Sequence, residues 1–230
     1  MYFRKIIILK PLLYLALIFS SLQSFAEAPV GSVYLDGSKS DFALILAHGK
    51  GKHPQWKVVE PLRHGVHEQL GFHTLSLQMP VSDKYWSDYL YDFPKAYETL
   101  KQAIHFLKAE KGVSNIYLMG HSMGSRMASG FISKHASKPV KGLIIAGCRN
   151  NGDAELSCID NLERVTIPVL DIWGDDNGKD VDSAYEREKY ISNRYTQVAI
   201  EHANHKFDDK EEEFVSAVVA WLKLQNNSKE

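Results

Sequence analysis

Short apolar runs alternate along the chain with longer segments in which apolar residues return every three or four positions. The runs Ser32–Asp36, Phe42–Ala47, His73–Gln78, Asn115–Met119, Gly142–Ala146, Pro168–Trp173 and Gln197–Glu201 read as strands. Several lack polar alternation, which is the pattern of strands covered on both faces. Between them, Val59, Leu62, Val66 and Leu70 fall on one helical face. Phe93, Tyr97, Leu100, Ile104 and Leu107 do the same, as do Phe214, Val218 and Trp221. Strand and helix in alternation predict an α/β fold: a doubly wound, mostly parallel sheet with helices on both faces. In such sheets reactive groups collect in the loops beyond the carboxyl ends of the strands.

The first residues break this pattern. Arg4 and Lys5 precede an apolar run through Leu12, Leu13, Leu15, Leu17, Ile18 and Phe19, and Ser24-Phe25-Ala26 supplies small residues three apart. Residues 1–26 therefore read as a signal peptide cleaved after Ala26. A retained anchor is the rival reading, but the run is short and broken by Lys10 and Pro11. Residues 27–230 then form a single domain, periplasmic or secreted, with no stable membrane insertion after cleavage. Cleavage removes three cations and no acid, which leaves a more acidic, soluble chain. The formal charge of −1 and the lack of a basic cluster argue against nucleic acid as a partner. Oligomeric state is not encoded in any pattern here.

Only two cysteines exist, Cys148 and Cys158. In an exported chain they can close a disulfide, while their number and spacing do not fit a zinc site.

The chemistry concentrates at Gly120-His121-Ser122-Met123-Gly124, a G-x-S-x-G pentapeptide between a predicted strand and a predicted helix. A serine on so sharp a turn needs glycine two positions to either side. Ser125, Ala128, Ser129 and Gly130 extend the run of small residues and let the helix approach the sheet. A serine hydroxyl also needs a base, an acid to orient that base, and donors for an oxyanion. His205, beyond the last strand, is the base; His202, at that strand's end, is the competitor. As two metal ligands they lack a third, so no metal or other cofactor is expected. The acid comes from the segment Asp171–Asp182. Asp171 lies in an apolar run and needs a buried partner, and Asp182 can cap a helix. Asp176 is preferred as the acid, with Asp180 the alternate, both expected on a loop. The same loop resembles a calcium loop weakly, but Trp173 and Ala184 stand where its end ligands belong. His48-Gly49-Lys50-Gly51, directly after Phe42–Ala47, supplies the Lys50 amide as one oxyanion donor, with the Met123 amide as the other.

Taken together, these residues resemble the α/β-hydrolase superfamily over most of the chain. The stretches His53–Pro80 and Pro168–Asp180 look like a group of small exported bacterial members of unassigned function. The resemblance implies Ser122 as nucleophile, His205 as base, and Lys50 and Met123 as the oxyanion hole. It also implies an acid three residues after the strand-ending Gly174, where this chain has Asn177. The short segment from Ala146 to Pro168 leaves no room for a large lid domain. Tyr85, Trp86, Tyr89 and Tyr91 either wall the site or pack a helix onto the sheet. The function implied is an exported serine hydrolase acting on a small-molecule ester, thioester or amide. An acyltransferase using the same serine, and a non-catalytic envelope binding protein, are the alternatives.

Overall fold

The computed structural model describes residues 26–82, 85–135 and 139–227. The expected signal peptide, residues 1–26, lies outside the described residues but for Ala26. Among the described residues no helix is long and apolar enough to cross a membrane.

Seven strands form one sheet: β1 (Val33–Leu35), β2 (Phe42–Ala47), β3 (His73–Leu77), β4 (Asn115–His121), β5 (Gly142–Ala146), β6 (Val169–Gly174) and β7 (Tyr195–Ile200). Their order is β1-β3-β2-β4-β5-β6-β7. Only β1 is antiparallel to its neighbour. Every expected strand is present. β4 runs two residues further than its apolar stretch, because Gly120 still pairs with Ala47 and His121 with Ala146. β6 starts after Pro168, which has no N–H to give the ladder. β7 starts at Tyr195, where Val169 provides a register partner.

Alternating side chains of each central strand feed two cores. On one face Leu44, Leu46, Met119, Ile144 and Leu170 meet helices α1 (Val59–Leu70) and α6 (Glu211–Asn227). On the other, Ile45, Leu118, Leu143 and Ile145 meet α2 (Phe93–Ala109), α3 (Met123–Lys134) and α4 (Cys158–Leu162). The predicted helical stripes supply both cores: Leu62 and Val66 with Phe214 and Val218 on the first face, Phe93 and Leu100 on the second. Asp171 finds the buried partner that its position demands. The Arg187 guanidinium donates to both of its oxygens at 2.9 and 3.0 Å, and the Tyr195 hydroxyl adds a bond of 2.7 Å.

One element departs from expectation. Gly178–Glu186 is a helix, α5, not a loop followed by a helix capped at Asp182. Asn177 caps it, its side chain accepting from the Asp180 N–H. The aspartates thus divide: Asp175 and Asp176 stay on the turn, and Asp180 enters the first helical turn. Between β5 and β6 lie only a single-turn 3-10 helix (Ala154–Leu156) and α4, so there is no inserted lid. Cys148, just beyond β5, is disulfide-bonded to Cys158 at the start of α4, with their Cα atoms 6.1 Å apart.

Candidate active site

The turn from β4 into α3 holds Ser122 at φ 55°, ψ −114°, a conformation that costs a non-glycine residue about 1–3 kcal/mol. The glycines make that turn sterically feasible. A Cβ on Gly120 would overlap the backbone of Gly124, and a Cβ on Gly124 would overlap the carbonyls of Ala47 and His48. The turn is further pinned by hydrogen bonds. Ser122 N–H donates to the Ala146 carbonyl at 2.8 Å. The Ser125 hydroxyl donates to Gly120 O at 2.5 Å and accepts from Ala146 N–H at 3.1 Å.

His205 reaches this serine from the loop between β7 and α6. Its Nε2 lies 3.0 Å from Ser122 Oγ and its Nδ1 lies 2.5 Å from Asp180 Oδ2. With the proton on Nδ1, donated to Asp180, Nε2 is free to accept from the hydroxyl. Gly147 is required beside the ring: its φ is +55°, and a Cβ there would sit 2.9 Å from His205 atoms.

Asp180, not Asp176, therefore stands against the imidazole. Asp176 is exposed, with its N–H committed to the Ala203 carbonyl at 3.0 Å. The helical first turn carries Asp180 inward, where it is fully buried. Burial acts to raise the Asp180 carboxyl. Bonds and charge from His205 and then Arg149 outweigh it and hold the carboxyl below the usual range. Asn177, at the position where the superfamily often carries the acid, orients the acid instead: its side-chain oxygen accepts from Asp180 N–H and, at 3.3 Å, from Arg149 Nη2. His202 is exposed and lies with Asp175 on the outer side of the turn, its N–H donating to Asp175 Oδ1 at 2.6 Å.

Two buried histidines frame the site. His121 donates from Nε2 to the His205 carbonyl at 2.8 Å and is wholly enclosed. Burial first, and the neighbouring His205 second, push it down to about 3, so it is neutral. His48 bridges the loop after β2: Nδ1 donates to Gly49 O at 2.9 Å, and Nε2 accepts from Met79 N–H at 3.1 Å. That loop carries Lys50, which lines one cleft together with Ser122 and Met123. Neither the Lys50 nor the Met123 amide takes a protein acceptor among the described residues.

The cleft has a volume of about 670 Å³. The expected aromatic wall is divided. Tyr85 and Trp86 line the cleft, and Tyr89 is buried with its hydroxyl donating to Ser82 O at 2.8 Å. Tyr91 faces solvent. Among the lining residues not foreseen from sequence are two arginines, Arg126 and Arg149. Arg149 follows β5 by three positions, in the loop region where such sheets place reactive groups. Arg126 lies four residues after Ser122, on the same side of α3.

A seven-stranded, mostly parallel sheet with a serine on the strand–turn–helix is the α/β-hydrolase fold, here with no lid between β5 and β6. Solved structures share it at low identity. An alpha-beta serine hydrolase homologue from Coxiella burnetii is 19% identical with a TM-score of 0.67, over 85% of this chain and 94% of that one. The ferulic-acid-bound Est1E of Butyrivibrio proteoclasticus is 17% identical with a TM-score of 0.65, over 85% and 95%. A Xanthomonas campestris protein described as a serine hydrolase without lid is 17% identical with a TM-score of 0.59, over 82% and 92%. No curated protein matches the chain in sequence. Residues 91–224 match the family described as protein of unknown function (DUF3530), and the chain belongs to that family.

Proposed function

We propose that this protein is a serine hydrolase that cleaves an ester, thioester or amide through an acyl-enzyme. The observation that carries the reading is the unbroken chain Ser122 Oγ, His205, Asp180, at 3.0 and 2.5 Å. Ser122 Oγ attacks the substrate carbonyl while His205 Nε2 takes its proton. The oxyanion forms against the Lys50 and Met123 amides. The bond to the leaving group breaks, and His205 returns the proton to it. Water then attacks the acyl carbon, again losing a proton to Nε2, and that proton restores the Ser122 hydroxyl as the acid departs. Asp180 holds the ring and stabilises the imidazolium.

Export to the periplasm or medium belongs to the same reading. A buried Cys148–Cys158 bridge suits an oxidising compartment, and residues 1–26 have the pattern of a signal peptide. The mature chain would then begin at Glu27 and form one domain.

A panel of p-nitrophenyl esters tests the chemistry. Wild type is expected to release p-nitrophenol with turnover, and Ser122→Ala to lose at least about 10³ in kcat. Equal rates for both proteins would refute a serine mechanism. Edman sequencing of protein secreted by the native host tests the export, with Glu27 expected as the first residue.

A further inference from the structure

A buried guanidinium without a carboxylate partner is unusual, because burying an unpaired charge is costly. Arg126 is such a group. It is 5% exposed and lines the cleft that holds Ser122. Its acceptors are all neutral: Nη1 donates to Asn151 O at 2.6 Å and Leu156 O at 2.7 Å, and Nη2 to Asn151 Oδ1 at 2.6 Å. Its Nε–H and the second Nη2 hydrogen have no partner among the described residues. Trp86 covers one face of the guanidinium, with ring centre to Cζ at 5.1 Å.

Among the described residues no carboxylate hydrogen-bonds to Arg126, and the one buried carboxylate whose charge reaches it, Asp180, is shared with Arg149 and His205. Arg149 lines the same cleft, and Asp180 takes its Nε while His205 shares that carboxylate. Lys50 and Lys179 line the cleft as well, but both are exposed, where water screens them. Asp182 and Glu186 also line the cleft, but both are exposed, where water screens them. The buried part of the cleft is thus cationic beside the nucleophile.

We propose that the substrate carries an oxyanion, a carboxylate or a phosphate, which Arg126 binds through its unused donors while Ser122 attacks a carbonyl elsewhere in the same molecule. Guanidinium suits both anions, through paired N–H bonds. This rests on the serine-hydrolase reading above and gives it a substrate class. Arg126 is then the residue that selects substrate.

Matched ester pairs test it. On the acyl side, mono-p-nitrophenyl adipate is compared with p-nitrophenyl hexanoate, and with a p-nitrophenyl ester ending in a phosphate monoester. On the leaving side, S-(2-carboxyethyl) hexanethioate is compared with S-propyl hexanethioate. A charged hydrogen bond of ordinary strength predicts that the anionic member of at least one pair has the higher kcat/KM by about tenfold or more. That ratio should fall about tenfold in Arg126→Gln and recover in part in Arg126→Lys. The better of carboxylate and phosphate identifies the source, and either supports the proposal. Ratios below about threefold in all three comparisons, or a ratio unchanged in a folded Arg126→Gln, would overturn it. If Arg126→Gln does not fold, inhibition of wild-type p-nitrophenyl hexanoate hydrolysis decides, by monomethyl adipate against methyl hexanoate for the acyl side and by S-(2-carboxyethyl) hexanethioate against S-propyl hexanethioate for the leaving side, with at least about tenfold tighter inhibition by the anion of one pair expected. Equal inhibition within both pairs overturns the proposal. Absence of any Ser122-dependent hydrolysis is a different failure, that of the serine-hydrolase reading itself.

Discussion

Arg149 Nε lies 2.7 Å from Asp180 Oδ1, the carboxylate oxygen that His205 leaves unused. The buried acid is thus held from two sides, by the imidazole and by a guanidinium that sits in the cleft wall. Arg149 acts through Asp180 and is a positioning residue. Arg149→Ala is expected to lower kcat by about tenfold to a hundredfold, the loss typical of one charged hydrogen bond. It should also move the acid limb of the kcat/KM profile to higher pH, because removing a cation favours the protonated form of the dyad. Arg149→Lys should restore part of both. A loss of protein stability with an unmoved pH profile would mean that Arg149 serves only the fold.

The choice between aspartates is open to direct measurement. Asp180→Asn should reduce kcat by about 10⁴, since the amide can no longer hold the productive tautomer. Asp176→Asn removes an exposed carboxylate with no contact to His205 and should stay within about threefold of wild type. Steady-state kinetics of the two variants separate the cases, and the reverse ranking would restore Asp176 to the site.

Gly147 faces the His205 ring, with φ +55° and no room for a methyl group. Gly147→Ala is expected to displace the imidazole and cost about 1–3 kcal/mol of stability from backbone strain. The kinetic loss should fall on kcat more than on KM. An active Gly147→Ala enzyme with unchanged kcat would show that His205 tolerates movement there.

His121 predicts an acid-sensitive fold. Its folded value is pushed down to about 3, against 6.5 for the free side chain, so the unfolded chain takes up a proton first as pH falls. Its contribution is complete above about pH 6.5 and is lost between 6.5 and 3, by roughly 1.4 kcal/mol per pH unit. Asp180 extends the loss: its depressed carboxyl stabilises the fold above the ordinary carboxylate range and ceases to as pH falls through the folded value. Urea unfolding at pH 7 and pH 5 should show wild type losing about 2 kcal/mol more than His121→Gln. Equal losses would mean that His121 titrates normally.

The sheet was legible because its central strands are continuous apolar runs, and the helices because their stripes are regular. Ser122 and His205 were legible for a related reason: each follows a strand and precedes a helix, so chain order placed both at one end of the sheet. The acid was harder. Asp176 and Asp180 both follow β6, and what separates them is a helix start at Gly178, which a run of polar residues conceals. Only the Asn177 cap, visible as side-chain geometry, turns Asp180 inward. Arg126 and Arg149 were missed because their importance depends on burial and on partners from distant segments, Asn151 and Leu156 for one and Asp180 for the other. The tyrosines split for the same reason: within the seven residues Tyr85–Tyr91, identical residue types point into the core, the cleft and the solvent.

The most direct measurement is covalent. Purified protein is treated with a fluorophosphonate, digested, and the adduct located by mass spectrometry. An activated nucleophile at this turn predicts one stoichiometric adduct on Ser122, abolished in Ser122→Ala and strongly slowed in His205→Ala. No adduct, or one located on another residue, would contradict a reactive serine at the head of α3.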